Sequence, residues 1–251
     1  MTHAAQHITS TAASICKLTK TLTLENLREP TALLWTAIAP SVMFIFATQN
    51  NRALPPLEEN FLASAAWFYS YISASVAFFG FSFYLIGRRE SGFLRSFIYQ
   101  RNAIRLFLAS HTLSYSLLSF VYSSLFYIVA KPLYGPYSAN EFFYLTACFY
   151  TSYLIFTCIG LMIIALPIKF STASTLFSLM SFLMLLSGYL GAAQHSTPHA
   201  VTLLSPLYLS TQIFLGDVSL PISFLSAFSA STLGIYLTGR FFRTQPVWSR
   251  Y

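Results

Sequence analysis

The chain has 251 residues, a formal net charge of +7, 55% hydrophobic residues and only 8% charged ones. A soluble domain carries roughly a quarter charged residues, so a water-soluble globular enzyme is excluded. Six long apolar runs, almost free of charge inside, point instead to a polytopic membrane protein.

The first 30 residues form an N-terminal arm. Ile8, Ala12, Ile15, Leu18 and Leu22 recur at helical spacing on one face, with Lys17, Lys20 and Thr21 off it. Such an amphipathic helix lies flat on the cytoplasmic leaflet. No cleavable signal peptide is expected, because no short apolar stretch precedes a small-residue cleavage site. Arg28-Glu29-Pro30 then opens the first span, proline suiting the first helical turn.

A hydrocarbon core about 30 Å thick needs about 20 apolar residues per helix. The expected spans are Thr31–Thr48, Phe61–Ile86, Leu106–Ala130, Phe142–Ile168, Ser171–Ala193 and Val218–Gly239. They form a transmembrane domain over 31–240, followed by a tail over 241–251. Barrel strands are excluded, since the runs are too long and do not alternate. The fold class is therefore all-α, with six transmembrane helices.

Between spans one and two, Pro55-Pro56 punctuates a short loop, and Glu58 and Glu59 suit the N-terminus of span two. The segment 87–105 reads as a short amphipathic helix: Phe93, Leu94, Phe97 and Ile98 share one face, Arg88, Arg95 and Asn102 the other. It either rests on the membrane or docks a cytosolic partner. Pro167 and Lys169 make a tight turn between spans four and five. Residues 194–217 are long for a connection yet half apolar, with no lysine, arginine or glutamate. Such a stretch re-enters the membrane from outside, where irregular backbone must be covered by protein or line a cavity.

Twelve basic residues fall on one side of these spans and two, Arg52 and Lys131, on the other. The positive-inside rule places both termini in the cytoplasm. Those basic residues serve orientation and contact with anionic lipid, not nucleic acid. Cys16 is cytoplasmic, and Cys148 and Cys158 are small packing residues in one span. Trp35, Trp67 and Tyr69 fit an interfacial belt. Tyr71, Tyr115, Tyr122, Tyr150 and Tyr153 sit deeper, where each phenol needs a partner.

No phosphate-cradling G-x-x-x-x-G-K-[ST] loop, H-E-x-x-H or nucleophile elbow occurs. His195 and His199 are four apart, but zinc wants three or four ligands and none lies nearby. His111 reads as a helix–helix hydrogen bond rather than a proton relay. The spans hold essentially no buried acid, which argues against ion-coupled transport and against an intramembrane hydrolase. Uphill transport would draw its energy from another chain.

Three stretches carry a resemblance. Arg28-Glu29-Pro30 running into Leu33-Leu34-Trp35 and Pro40 looks like the entry to span one of ABC-2 type exporter membrane subunits. Arg89-Glu90-Ser91-Gly92-Phe93-Leu94-Arg95 resembles that family's E-R-E-x-G-x-L-R coupling segment. Ser187-Gly188 followed by Ser205-Pro206-Leu207-Tyr208 resembles its S-G…N-P-L-x-Y signature. Ser205 stands where the family has asparagine, and its proline after the coupling helix is missing at Gln100–Asn102, which leaves the subfamily open.

The resemblance implies a permease without an ATP site of its own in a bacterial inner membrane. Two copies of a cytosolic ABC ATPase would bind ATP and magnesium, and a second membrane subunit would complete a homodimer around the pathway. The chain itself would need no cofactor. Coupling falls to Arg88, Arg89, Glu90, Phe93, Leu94, Arg95 and Phe97, with Glu90 and Arg95 as polar docking contacts and Phe93 and Phe97 as the apolar part. Pro198, Ser205, Pro206 and Tyr208 would form an external gate. Phe44, Tyr71, Phe182 and Tyr189, on spans one, two and five, would face a drug-like, lipidic or natural-product solute more readily than a glycan. The competing reading is a non-transporting scaffold or cofactor-assembly subunit that recruits a cytosolic partner.

Overall fold

The computed structural model describes residues 2–29, 33–49, 60–92, 101–193 and 205–241. These are helices and short turns, with no strand among the described residues. In chain order they are α1 (Thr2–Leu27), a π-helical turn (Leu34–Ile38) leading into α2 (Ala39–Gln49), and α3 (Phe61–Ser75). A second π-helical segment (Val76–Ser82) joins α3 to α4 (Phe83–Glu90). Then follow α5 (Arg101–Ala130), α6 (Ala139–Ala165), α7 (Phe170–Ala193), α8 (Pro206–Leu215) and α9 (Leu220–Phe241).

Four stretches are long and apolar enough to cross a membrane: Phe61–Glu90, Ala103–Leu133, Ala139–Ala165 and Leu220–Arg240. The chain is a multi-pass helical membrane protein. The first and fifth apolar runs are also helical, in α2 and α7.

Local chemistry sets the boundaries. The Asn60 side chain accepts a hydrogen bond from the Leu62 amide at 3.1 Å and caps α3. Leu166 precedes Pro167 and is extended, at φ −73° and ψ 141°, which ends α6. Gly216, at φ +85°, closes α8 in the left-handed conformation.

Aromatic rings fill the core. Tyr69 meets Phe126 edge-on at 4.6 Å and stacks on Phe214 at 5.4 Å. Helix α8, ten residues and about 15 Å long, is too short to cross. It sits inside the bundle, where Ser210 hydrogen-bonds the hydroxyls of Ser70 and Ser152 at 2.9 and 2.8 Å. Tyr144 donates to the Phe214 carbonyl at 3.3 Å, satisfying one of the last carbonyls of α8.

The arm is helical, but its contact face differs from the apolar stripe read from the sequence. Helix α1 runs along α5. Thr19 donates to the Ser110 carbonyl at 3.3 Å, Thr23 to the Ser114 hydroxyl at 2.9 Å, and Tyr115 to Asn26 Oδ1 at 2.9 Å. Thr19, Leu22 and Asn26 are buried, while Ile15 and Leu18 are half-buried. The face is mixed because its polar members find hydroxyl and carbonyl partners on α5. Lys17, Lys20 and Thr21 are exposed.

The π segment in the second apolar helix is held from both sides. A Cβ on Gly80 would lie 2.5 Å from the Tyr115 ring, and one on Gly160 would lie 1.9 Å from Ser82 Oγ. His111 is fully buried and makes the interhelical hydrogen bond: its Nε2 donates to the Phe81 carbonyl at 3.0 Å. Overpacking this contact should destabilise the bundle by about 1–3 kcal/mol. Gly160→Val is expected to lower the melting temperature in detergent, and Ser82→Gly in the same chain to restore part of it; melting of the two variants and wild type checks this.

Candidate functional site

A cleft of about 870 Å³ opens where α1, the first π turn, the second apolar helix, α5 and α7 meet. Its length follows from the second apolar helix, which contributes residues from Tyr71 to Arg88, about 25 Å of helix at 1.5 Å per residue. Its charged end carries Asn26, Glu29 and Arg88, and its other end carries Tyr71, Ser75 and Phe79. Tyr115 and Tyr122 wall it from α5, and Phe170, Ser178, Ser181 and Phe182 from α7. Both π segments contribute, through Thr36 and through Val76, Phe79 and Gly80. Such segments concentrate at functional sites, because the extra residue per turn re-aims side chains.

Of the residues expected on a solute pathway, Tyr71 and Phe182 line this cleft together. Tyr71 stacks on Trp67 at 5.7 Å, and Phe182 is 61% exposed. Phe44 does not reach the cleft. It is fully buried against Phe61, Phe68 and Phe126, with ring centroids 5.1–6.3 Å away, because its side of α2 faces α3 and α5. The Tyr189 side chain lies outside the described residues.

At the charged end, two adjacent arginines point to different elements. Arg88 pairs with Glu25 of α1, donates to the Tyr84 hydroxyl at 2.6 Å, and lies 4.7 Å over the Tyr84 ring. Arg89 is 3% exposed. Its guanidinium donates to the carbonyls of Ile164, Leu166 and Ile168 at 3.0, 3.3 and 2.7 Å, and to Glu90 Oε1 at 3.0 Å. The end of α6 leaves carbonyls without helical partners and carries partial negative charge, so a cation is favoured there.

The role of Glu90 as a displayed docking contact changes accordingly. Its side chain is only 5% exposed and neutralises Arg89, because a buried guanidinium needs a counter-charge. Phe93, Leu94, Arg95 and Phe97 lie outside the described residues. Of the gate residues, Ser205 is buried at the head of α8, Pro206 is its first residue and Tyr208 is half-buried; Pro198 lies outside the described residues. Among the described residues no group of three or more histidines, cysteines or carboxylates could hold a metal.

Sequence reasoning missed the latch from Arg89 to the α6–α7 turn and the hydroxyl ladder between α1 and α5. Their partners lie 75–95 residues apart in the chain. The one local signal was Pro167, which marks a helix end needing a cap.

No family model matches this chain. Protein McbE of Escherichia coli is 27% identical over 230 residues, spanning 90% of this chain and 95% of that protein.

Removing Glu90 would strand a buried charge, which costs about 3–5 kcal/mol, whereas a more exposed pair contributes about 1 kcal/mol or less. Glu90→Gln is therefore expected to lower the thermal midpoint well below that of Glu25→Gln. Paired melting curves in one detergent check the order.

Proposed function

We propose that this chain is the membrane subunit of an ATP-driven, ABC-2 type exporter, with the cleft as its share of the solute pathway. The observation that carries the reading is the base of the second apolar helix. The segment resembling a coupling helix begins there, and its first residues are tied to both neighbouring elements. A push on residues 93–97 would reach the α6–α7 turn through Arg89 and the arm through Arg88. The ring of Phe83, 4.5 Å from Phe170, continues the contact into α7. Helix α7 carries Ser178, Ser181 and Phe182 on the cleft wall, so its displacement against Tyr71 changes the cleft's width. Rigid helices levered at one end are an established means of switching.

In this reading all six apolar runs cross the inner membrane, with both termini in the cytoplasm and the arm bracing the ATPase. Two such chains form the pathway, and two ATPase subunits supply ATP and magnesium. Helix α8 is the external gate. The burial of Ser210 between Ser70 and Ser152 supports a segment held inside the bundle without crossing it. The aromatic walls favour a lipophilic solute.

Co-purification from native membranes in mild detergent tests the reading. A co-eluting ATPase is expected, with hydrolysis lost in Phe97→Asp while insertion and dimerisation persist. A reporter at either terminus is expected to stay cytoplasmic. Under gentle conditions, a chain that elutes without any ATPase contradicts the exporter and favours a scaffold.

A further inference from the structure

The walls and charged end of the cleft carry a charge pattern that narrows its ligand. Rings dominate the lining: Tyr71, Phe79, Phe83, Tyr122 and Phe182 all belong to it, with Phe79 and Phe182 partly exposed. Aromatic faces are negative and attract cations, the more so away from water. At the charged end Arg88 is already offset by Glu25. Glu29 also lines that end and pairs with no cation among the described residues. It shares the cleft lining with the hydroxyl-bearing rings of Tyr115 and Tyr122. The other polar lining groups, Asn26, Thr36, Ser75, Tyr84, Ser91, Ser178 and Ser181, are uncharged and can both donate and accept hydrogen bonds.

We infer that the cleft binds lipophilic organic cations, selected over anions of the same shape by its aromatic walls and by Glu29 at its charged end. This rests on the cleft being the solute pathway proposed above, and it adds the substrate class. An anion of the same shape would meet ring faces, a carboxylate of its own sign and a guanidinium already paired with Glu25.

Tetraphenylphosphonium and tetraphenylborate have the same shape and opposite charge, which makes them a direct probe. Their binding to the full chain in nanodiscs would be measured by equilibrium dialysis, with empty nanodiscs subtracted for partition into lipid. The cation is expected to bind saturably and the anion not. Glu29→Gln and Phe182→Ala are each expected to weaken the cation about threefold to tenfold. Both side chains are exposed, so folding should survive, and unchanged melting confirms it. Saturable binding of the borate, or cation binding unchanged in both variants, overturns the inference. No ATPase is needed for this assay. Cation binding by a chain that co-purifies with no ATPase from native membranes would refute the exporter alone, and a co-purifying, coupled ATPase without cation preference in the cleft would refute the substrate class alone.

Discussion

A guanidinium taken out of water is tolerated only when its N–H groups find acceptors and its charge finds a partner. Arg89 meets that condition with three carbonyls, at the end of α6 and in the turn that follows, and the carboxylate next to it in sequence. The consequence is geometric. The base of the second apolar helix is fixed to the turn that starts α7, and Phe170 is fixed near Phe83 and Gly87. With Arg89 committed inward, Arg88 is left to meet Glu25 on the arm. The cleft exists because these contacts hold α1, the second apolar helix and α7 together at one end while their rings line the space above.

Elsewhere the bundle is held by close approach and by hydroxyls. Lipid offers no hydrophobic gain for joining two apolar helices, so packing and interhelical hydrogen bonds must supply the specificity. Gly80 receives Tyr115, Gly160 receives Ser82, and Gly234 receives Leu161. Serines and threonines join α1 to α5, and α8 to its two neighbours. These contacts leave the π segment of the second apolar helix seated between α5 and α6, with its cleft side free.

Much of this architecture was legible in the sequence. Apolar run length and the absence of alternation gave helices and not strands, and Pro167 marked an end that the structure retains. The apolar stretch after α7 could be read as re-entering because it is long for a connection, half apolar and without lysine, arginine or glutamate. Tyr71 and Phe182 were open to choice only through the resemblance, which puts runs one, two and five on a pathway. The misplacement of Phe44 shows the limit. Facing direction on a helix that is apolar all round carries no periodic signal, so composition cannot separate a core ring from a cleft ring. The position of Glu90 fails for a related reason. A carboxylate beside an arginine reads as a surface pair until a helix end 75 residues away claims the arginine.

Arg89 ties the base of the second apolar helix to the turn that starts α7. Spin labels at Ser91 and Thr172, both exposed, would report the distance between these elements in nanodiscs by pulsed electron resonance. The account predicts one narrow distance distribution that broadens in Arg89→Ala and stays narrow in Arg88→Ala. A distribution unchanged by loss of Arg89 would contradict it.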